Sequence, residues 1–330
     1  MSVPRRYLTV WSGLSFPYAA RLTIDSILLA DPTAQVEIHV LGEHPMSSHF
    51  ADLTDLADHR ISVHDIDLDE LFGSLRLISG TDCRAVFNAI PEHALSARSN
   101  ILRYALLYRR GGVYVDFDVL VLRPLHDLAN GGAFLGAERV WAYDEARVEG
   151  RWKLRMTAGT VGWALSWFAK RLDSKWFGGA LKLTKRLRRL DTLWTRQQPN
   201  NAIIGAPAHS PFIIEVLRQC ALADPTVRYA LGPTLVSAVA RQHPHLVRVL
   251  PEATLYPVAP GESYRFFEDR HLQLSDETVA IHYVNSNHRK LLHELQPDDA
   301  RLETRSELFW TLARSVAAGN QSPAHKLDAR

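Results

Sequence analysis

Residues 7–41 read strand, helix, strand, and that order leaves the opening of the fold little freedom. Residues 7–11 (YLTVW) are β-branched and aromatic and stop at Ser12-Gly13. Residues 16–30 carry Ala20, Leu22, Ile24, Ile27 and Leu28 at helical spacing and close at Asp31-Pro32. Residues 35–41 (QVEIHVL) are a second strand. Strand, crossover helix and strand make a right-handed βαβ unit, the opening of a doubly wound sheet. Residues 48–57 are expected as a helix and 61–66 as a third short strand. Ligands of such α/β sheets sit at the carboxyl ends of the strands. No G-x-G-x-x-G follows the first strand, so the glycine-rich dinucleotide mode is unsupported.

The stretch richest in chemistry is 96–121, SARSNILRYALLYRRGGVYVDFDVLV. On a helix, Ser96, Asn100 and Arg103 share one face and Ile101, Leu102, Ala105 and Leu106 another. Arg109, Arg110 and Gly111 form a stop signal, with Gly111 expected in a left-handed cap. Val113-Tyr114-Val115 reads as a buried strand, and Asp116 and Asp118 are expected to point the same way by strand alternation. Two carboxylates so placed repel each other unless a cation sits beside them. Hard divalent cations prefer oxygen ligands and commonly combine one or two carboxylates with substrate phosphates. A metal-bound diphosphate is the natural expectation.

The run S-N-I-L-R-Y-A-L-L-Y-R-R-G-G-V-Y-V-D-F-D resembles the sugar-binding D-x-D region of a glycosyltransferase family. That family includes yeast-type initiating mannosyltransferases, bacterial capsule and lipopolysaccharide transferases, and a similar region in large clostridial glucosylating toxins. The family form, S-D-x-x-R, a helix, then G-G-x-Y-x-D-x-D, is matched at Ser99, Arg103, Gly111, Gly112, Tyr114, Asp116 and Asp118. Asn100 stands where the family has aspartate; it keeps an acceptor, adds donors and loses the charge. The resemblance implies a GT-A-type, Rossmann-like α/β fold with a mixed central sheet flanked by helices, and a metal-dependent, retaining hexosyl transfer. UDP-sugar is the favoured donor and GDP-mannose the second. It implies Asp116, Asp118 and Arg103 as catalytic residues, and Trp11, Asn100, Arg103, Tyr114, Asp116, Asn201 and Lys290 as donor-binding ones. Asp118 and His282 are the implied metal ligands. V-W-S-G at the first strand matches the family's I-W-x-G, which puts Trp11 near the base by stacking, against the alternative of a core aromatic. Residues 198–208 (QPNNAIIGAPA) resemble the segment lining the family's sugar pocket, with Asn201 as candidate against a plain turn. Gly232-Pro233-Thr234 matches a family helix start.

The C-terminal half supplies the rest of the expected site. Residues 247–250 and 254–256 are expected as late strands, and 278–283 (TVAIHY) as the last, followed by VNSNHRK. In related transferases such an element completes the metal shell, which makes His282 the third protein ligand, assisted by Asn285 or Ser286, with Lys290 neutralising the diphosphate. An imidazole favours Mn²⁺ over Mg²⁺.

Between the two halves, residues 151–196 hold twelve Lys or Arg against two acids, so this segment carries +10 while the whole chain carries +2. It also holds five of the eight Trp. Leu183, Leu187 and Leu190 lie opposite Lys182, Lys185, Arg186 and Arg189, the pattern of an interfacial helix on anionic lipid. This basic helical insertion is expected to contact an anionic membrane peripherally, near a lipid-linked acceptor; a basic solvated face or an acceptor lobe is the alternative. The domain expectation is one catalytic unit over 1–315 containing that insertion, with a flexible tail at 316–330. The near-neutral net charge argues against nucleic acid as a partner. Two distant cysteines, Cys83 and Cys220, are expected as free buried thiols in a reducing compartment, and neither a signal peptide nor a spanning helix is expected, so the location is cytoplasmic, at the inner membrane face.

Two other classes fit the D-x-D. A haloacid-dehalogenase-type phosphatase also places D-x-D after an apolar strand, but there the strand opens the domain. A catalytically silent sugar-nucleotide binder is kept open by Asn100.

Overall fold

A computed structural model describes residues 2–319 except 56–57, 74, 76–79, 130, 142–157, 193, 226 and 228. The N-terminal prediction is realised in β1 (Arg6–Ser12), α1 (Tyr18–Ala30) and β2 (Gln35–Leu41). They are followed by α2 (Ser48–Asp55) and β3 (Ile61–Asp65). The long helix α3 (Leu95–Arg110) leads into β4 (Gly112–Val115) and the short β5 (Val119–Val121). Beyond lie β6 (Ala133–Trp141), α4 (Ala158–Phe177), α5 (Leu183–Asp191) and β7 (Thr195–Ala206). The chain continues through α6 (Pro211–Cys220), α7 (Pro233–Gln242), β8 (Val247–Leu250), β9 (Ala280–His282) and α8 (Leu308–Ala317).

Seven strands form one sheet in the order β3-β2-β1-β4-β7-β6-β8, and β5 pairs separately with β9. β3, β2, β1 and β4 are mutually parallel, β7 is antiparallel to both β4 and β6, and β8 runs parallel to β6. Strand alternation divides the core. Leu8, Val10 and Tyr114 pack with α3 on one face, and Tyr7, Val113 and Val115 pack with α1 on the other. A third cluster closes β5 and β9 against α8 through Ile281, Tyr283, Phe309 and Trp310.

Several expectations are corrected. Residues 254–256 do not form a strand: Glu252–Leu255 is a short helix, started after Pro251. Asn200 and Asn201 are not a turn after Pro199 but part of the twelve-residue β7. The expected tail begins too early, because α8 runs to Ala317 with Val316 packed on the core; residues 320–330 lie outside the described residues. The helix expected over 48–57 is present at Ser48–Asp55, and 56–57 lie outside the described residues.

Gly111 ends α3 as expected, with its N–H donating to the Leu107 carbonyl, but not in the left-handed helical region. Its φ of 64° with ψ of 176° is the extended positive-φ conformation that only glycine adopts readily. A Cβ there would lie 2.4 Å from the Ala208 nitrogen, and one on Gly112 2.5 Å from the Arg6 carbonyl oxygen. The glycine pair therefore lets the chain reverse from α3 into the centre of the sheet at backbone contact distance.

Candidate active site

β4 ends at Val115, so Asp116, Phe117 and Asp118 form a turn beyond the strand. Strand alternation does not align the two carboxylates, contrary to expectation; the turn does, and both line one cavity at the carboxyl end of β4. The Asp116 N–H extends the ladder by donating to the Ala202 carbonyl at 2.9 Å. Its carboxylate lies on the Tyr114 side, where the Tyr114 hydroxyl donates to Oδ1 at 2.9 Å. Arg103 binds the same carboxylate with two nitrogens, Nη1 to Oδ2 at 3.0 Å and Nη2 to Oδ1 at 2.9 Å. The guanidinium also stacks over the Tyr114 ring at 4.4 Å and donates to the Asn201 carbonyl. Arg103 is 3% exposed, so its charge is buried and paired, and it fixes Asp116 rather than reaching freely into the cavity.

Asp118 is held from the other end of the chain. β5 and β9 pair antiparallel, with Val119 opposite His282. This register brings His282 Nε2 to 3.2 Å from Asp118 Oδ1. The Asn285 N–H donates to Oδ2 at 3.0 Å, and the Tyr283 N–H takes the Asp118 carbonyl.

The second ring nitrogen of His282 faces Glu138 Oε1 at 3.7 Å, and Asn200 donates its amide to Glu138. Glu138 is buried on β6 and lines the cavity. Sequence reasoning missed it, although one acid within the apolar run AFLGAE was a usable signal. The β6–β7 pairing slips here: Leu135 faces Ile204 while Gly136 faces Asn200. The extra residues on β7 turn Asn200 and Asn201 toward the cavity.

Asn201 donates to Asn100 Oδ1 at 2.8 Å and to the Tyr104 hydroxyl at 3.1 Å. Both Asn side chains lie against Gly232, where a Cβ would come within 3.0 Å of Asn100 Nδ2, so α7 starts directly on this pair. The resulting cavity of about 330 Å³ is lined by Ser96, Asn100, Arg103, Asp116, Asp118, Glu138, Asn201, Thr234, His282 and Ser286 among others. Its size is that of a ligand site rather than a packing defect.

Three sequence candidates lie outside the lining. Tyr114 is fully buried beneath Asp116. Trp11 packs edge-on against Phe16 and against Phe117 of the D-F-D turn, and its indole N–H is taken by the Gly13 carbonyl. Lys290 is exposed on the short helix Arg289–His293, away from the cavity. Cys83 and Cys220 are both buried.

The electrostatics separate the two aspartates. Burial pushes the Asp116 carboxyl up, with Asp118 adding to the shift and Arg103 opposing it. Burial also acts to raise Asp118, but His282 and the Asn285 N–H outweigh it and hold this carboxyl below the usual range. Burial disfavours a charged His282, yet Asp118 and Glu138 overcome it and push the imidazole well up. His282 thus stands among three carboxylates, Glu138 buried and Asp116 and Asp118 partly exposed.

This donor set fits a hard divalent cation. Among the described residues no group of three or more His, Cys, Asp or Glu could hold a metal ion by itself. Asp118 Oδ1 and His282 Nε2, 3.2 Å apart, are an oxygen and a nitrogen donor that a divalent cation would accept together. His282 Nδ1 makes no hydrogen bond but faces Glu138 Oε1 at 3.7 Å, which leaves Nε2 directed at Asp118.

A mixed sheet carries the D-x-D turn at the carboxyl end of β4, with the cavity beside it. Residues 58–135 match the family described as glycosyltransferase sugar-binding region containing DXD motif, which takes in α3, β4 and both aspartates. No curated protein matches the chain. Among solved structures, the PaToxG glycosyltransferase is 16% identical over 73% of this chain and 70% of its own, with a TM-score of 0.43. Mouse xyloside xylosyltransferase 1 is 13% identical over 84% and 96%, with a TM-score of 0.44. The galactosyltransferase LgtC, solved with donor and acceptor sugar analogues, is 15% identical over 96% of each chain, with a TM-score of 0.37.

Proposed function

We propose that the protein transfers a hexose from a nucleotide-diphosphate sugar, with UDP-sugar preferred and GDP-mannose second, to a glycan or lipid-linked glycan acceptor, with retention of configuration. The observation that carries this reading is the approach of His282 to Asp118 at the edge of the cavity. Asp118 and His282 would hold Mn²⁺ or Mg²⁺, which when bound supplies positive charge where the diphosphate leaving group becomes negative. Arg103 and Tyr114 fix the Asp116 carboxylate toward the donor ribose and sugar. Asn100 and Asn201 offer their remaining amide atoms to sugar hydroxyls. Among the described lining residues the carboxylates of Asp116, Asp118 and Glu138 are each bonded to a protein partner, which favours front-face attack with the leaving phosphate taking the acceptor proton. Lys290 and Trp11 would reach the donor only if their segments moved. The basic 151–196 segment would bring the enzyme to an anionic membrane at the cytoplasmic face, where a lipid-linked acceptor resides.

Purified protein incubated with Mn²⁺ and a panel of nucleotide sugars should hydrolyse one donor slowly without acceptor, and Asp118→Asn should abolish this while the fold is retained. Undiminished hydrolysis by Asp118→Asn would refute the assignment. A silent sugar-nucleotide binder is the second reading. It is favoured by the amide pair at Asn100 and Asn201, which leaves the sugar pocket without the carboxylate that its pattern calls for; donor binding with no turnover on any acceptor would select it.

A further inference from the structure

The helix α4 is built inside out. Its buried face is polar: Ser166, Lys170, Asp173 and Ser174 are each at most 7% exposed. Lys170 pairs with Asp191 at 2.5 Å and with Glu262 at 2.8 Å, and Ser166 bonds Asp191 as well. Asp173 accepts the N–H groups of Leu181 and Leu183, and the Trp167 indole donates to the Gly261 carbonyl at 2.7 Å. The opposite face carries Val161, Leu165, Phe168, Leu172 and Trp176, between 37% and 71% exposed. Their spacing of three or four residues puts them on one stripe along a twenty-residue helix, about 30 Å long. A soluble helix normally buries such a stripe and exposes its lysines. Here a buried ionic network anchors the helix and leaves the apolar stripe turned outward.

The surroundings of the stripe select what covers it. The adjoining α5 exposes Lys185, Arg186 and Arg188, preceded by exposed Lys182. Both acids of this region, Asp173 and Asp191, are buried and bonded. The exposed surface of α4 and α5 is therefore apolar and cationic, which repels a second copy and suits an anionic lipid surface. Sequence periodicity put the membrane face on α5, where Leu190 is exposed but Leu183 and Leu187 are half-buried, and α5 packs against α4. No described helix is long and apolar enough to cross a membrane, so α4 would lie in the interface plane.

We infer that α4 is an interfacial membrane-docking helix whose Val161–Trp176 stripe inserts among anionic lipid headgroups, with the α5 cations flanking it. The inference deepens the glycosyltransferase reading and rests on it only for what the docked enzyme reaches. Gly261, which receives Trp167, follows Pro260 in the wall of the donor cavity, so docking through α4 brings that wall toward a lipid-linked acceptor.

Flotation of the full chain with vesicles tests this. At low salt the protein should float with phosphatidylglycerol-containing vesicles and stay down with phosphatidylcholine alone. The triple variant Leu165→Ser, Phe168→Ser, Trp176→Ser should lose flotation by at least about tenfold, since each large apolar side chain removed from lipid weakens binding. It should keep wild-type hydrolysis of soluble donor and a wild-type melting temperature. Lys185→Glu with Arg186→Glu should weaken binding several-fold. No flotation of the wild type, equal flotation of the triple variant, or a lipid-free dimer that the triple variant abolishes would each overturn the inference. Donor hydrolysis, read separately, reports on the glycosyltransferase reading and can fail without flotation failing.

Discussion

His282 Nε2 stands 3.2 Å from Asp118 Oδ1, while its other ring nitrogen faces Glu138 Oε1 at 3.7 Å. One imidazole thus joins the D-x-D turn to a carboxylate on β6. Glu138→Ala removes that partner and leaves the Asn200 amide without its acceptor. Groups that orient a ligating histidine typically contribute 10–100-fold, so donor turnover in Mn²⁺ should fall by about that factor with the circular dichroism spectrum unchanged. Wild-type turnover would remove Glu138 from the site.

Arg103 is buried and doubly bonded to Asp116. Arg103→Ala would leave a partly exposed carboxylate with only the Tyr114 hydroxyl as partner, at a cost of about 1–3 kcal/mol in chemical denaturation. Adding Asp116→Asn should recover part of that stability and none of the activity. A stability loss no larger than that of a surface mutation would contradict the pairing.

Gly112→Ala sets a Cβ against the Arg6 carbonyl at a φ of +119°. Destabilisation of about 1–3 kcal/mol is expected, seen as a lower denaturation midpoint at constant slope. A neutral substitution would mean that the α3–β4 reversal is looser than the structure has it.

His288 bonds Ser263 through Nε2 at 2.9 Å and packs on Phe267. Burial, aided by Arg171, lowers its pKa from 6.5 to about 4. The folded state therefore keeps this ring neutral where the unfolded chain would protonate it. The stability it contributes is fully present above about pH 6.5 and is lost as the pH falls toward 4. Melting temperatures measured across that window should fall less steeply for His288→Gln than for the wild type. Parallel slopes would rule the ring out as a titrating group.

Much of this architecture was legible in the sequence because its signals are local. The βαβ opening has a clean change of period, and α3 with its two glycines carries its own stop signal. The D-x-D pair could be named from its motif, and His282 from the strand that carries it. What could not be read was long-range. The β7 irregularity that turns Asn200 and Asn201 into the cavity depends on two neighbouring strands at once. Glu138 becomes a site residue only through the β5–β9 register that brings His282 beside it. The short helix at Glu252–Leu255 was misread because T-L-Y has strand propensity that its tertiary setting overrides. Periodicity on α5 was visible, whereas the outward stripe on α4 needed its buried ionic network to be seen.

The central claim is that Asp118 and His282 grip one divalent ion beside the donor cavity. Free Mn²⁺ measured by electron paramagnetic resonance during titration with protein and UDP addresses it directly. The wild type should take up Mn²⁺ in a UDP-dependent manner, and Asp118→Asn and His282→Ala should each weaken uptake by more than about tenfold. Equal uptake by either variant, or none by the wild type, would contradict it.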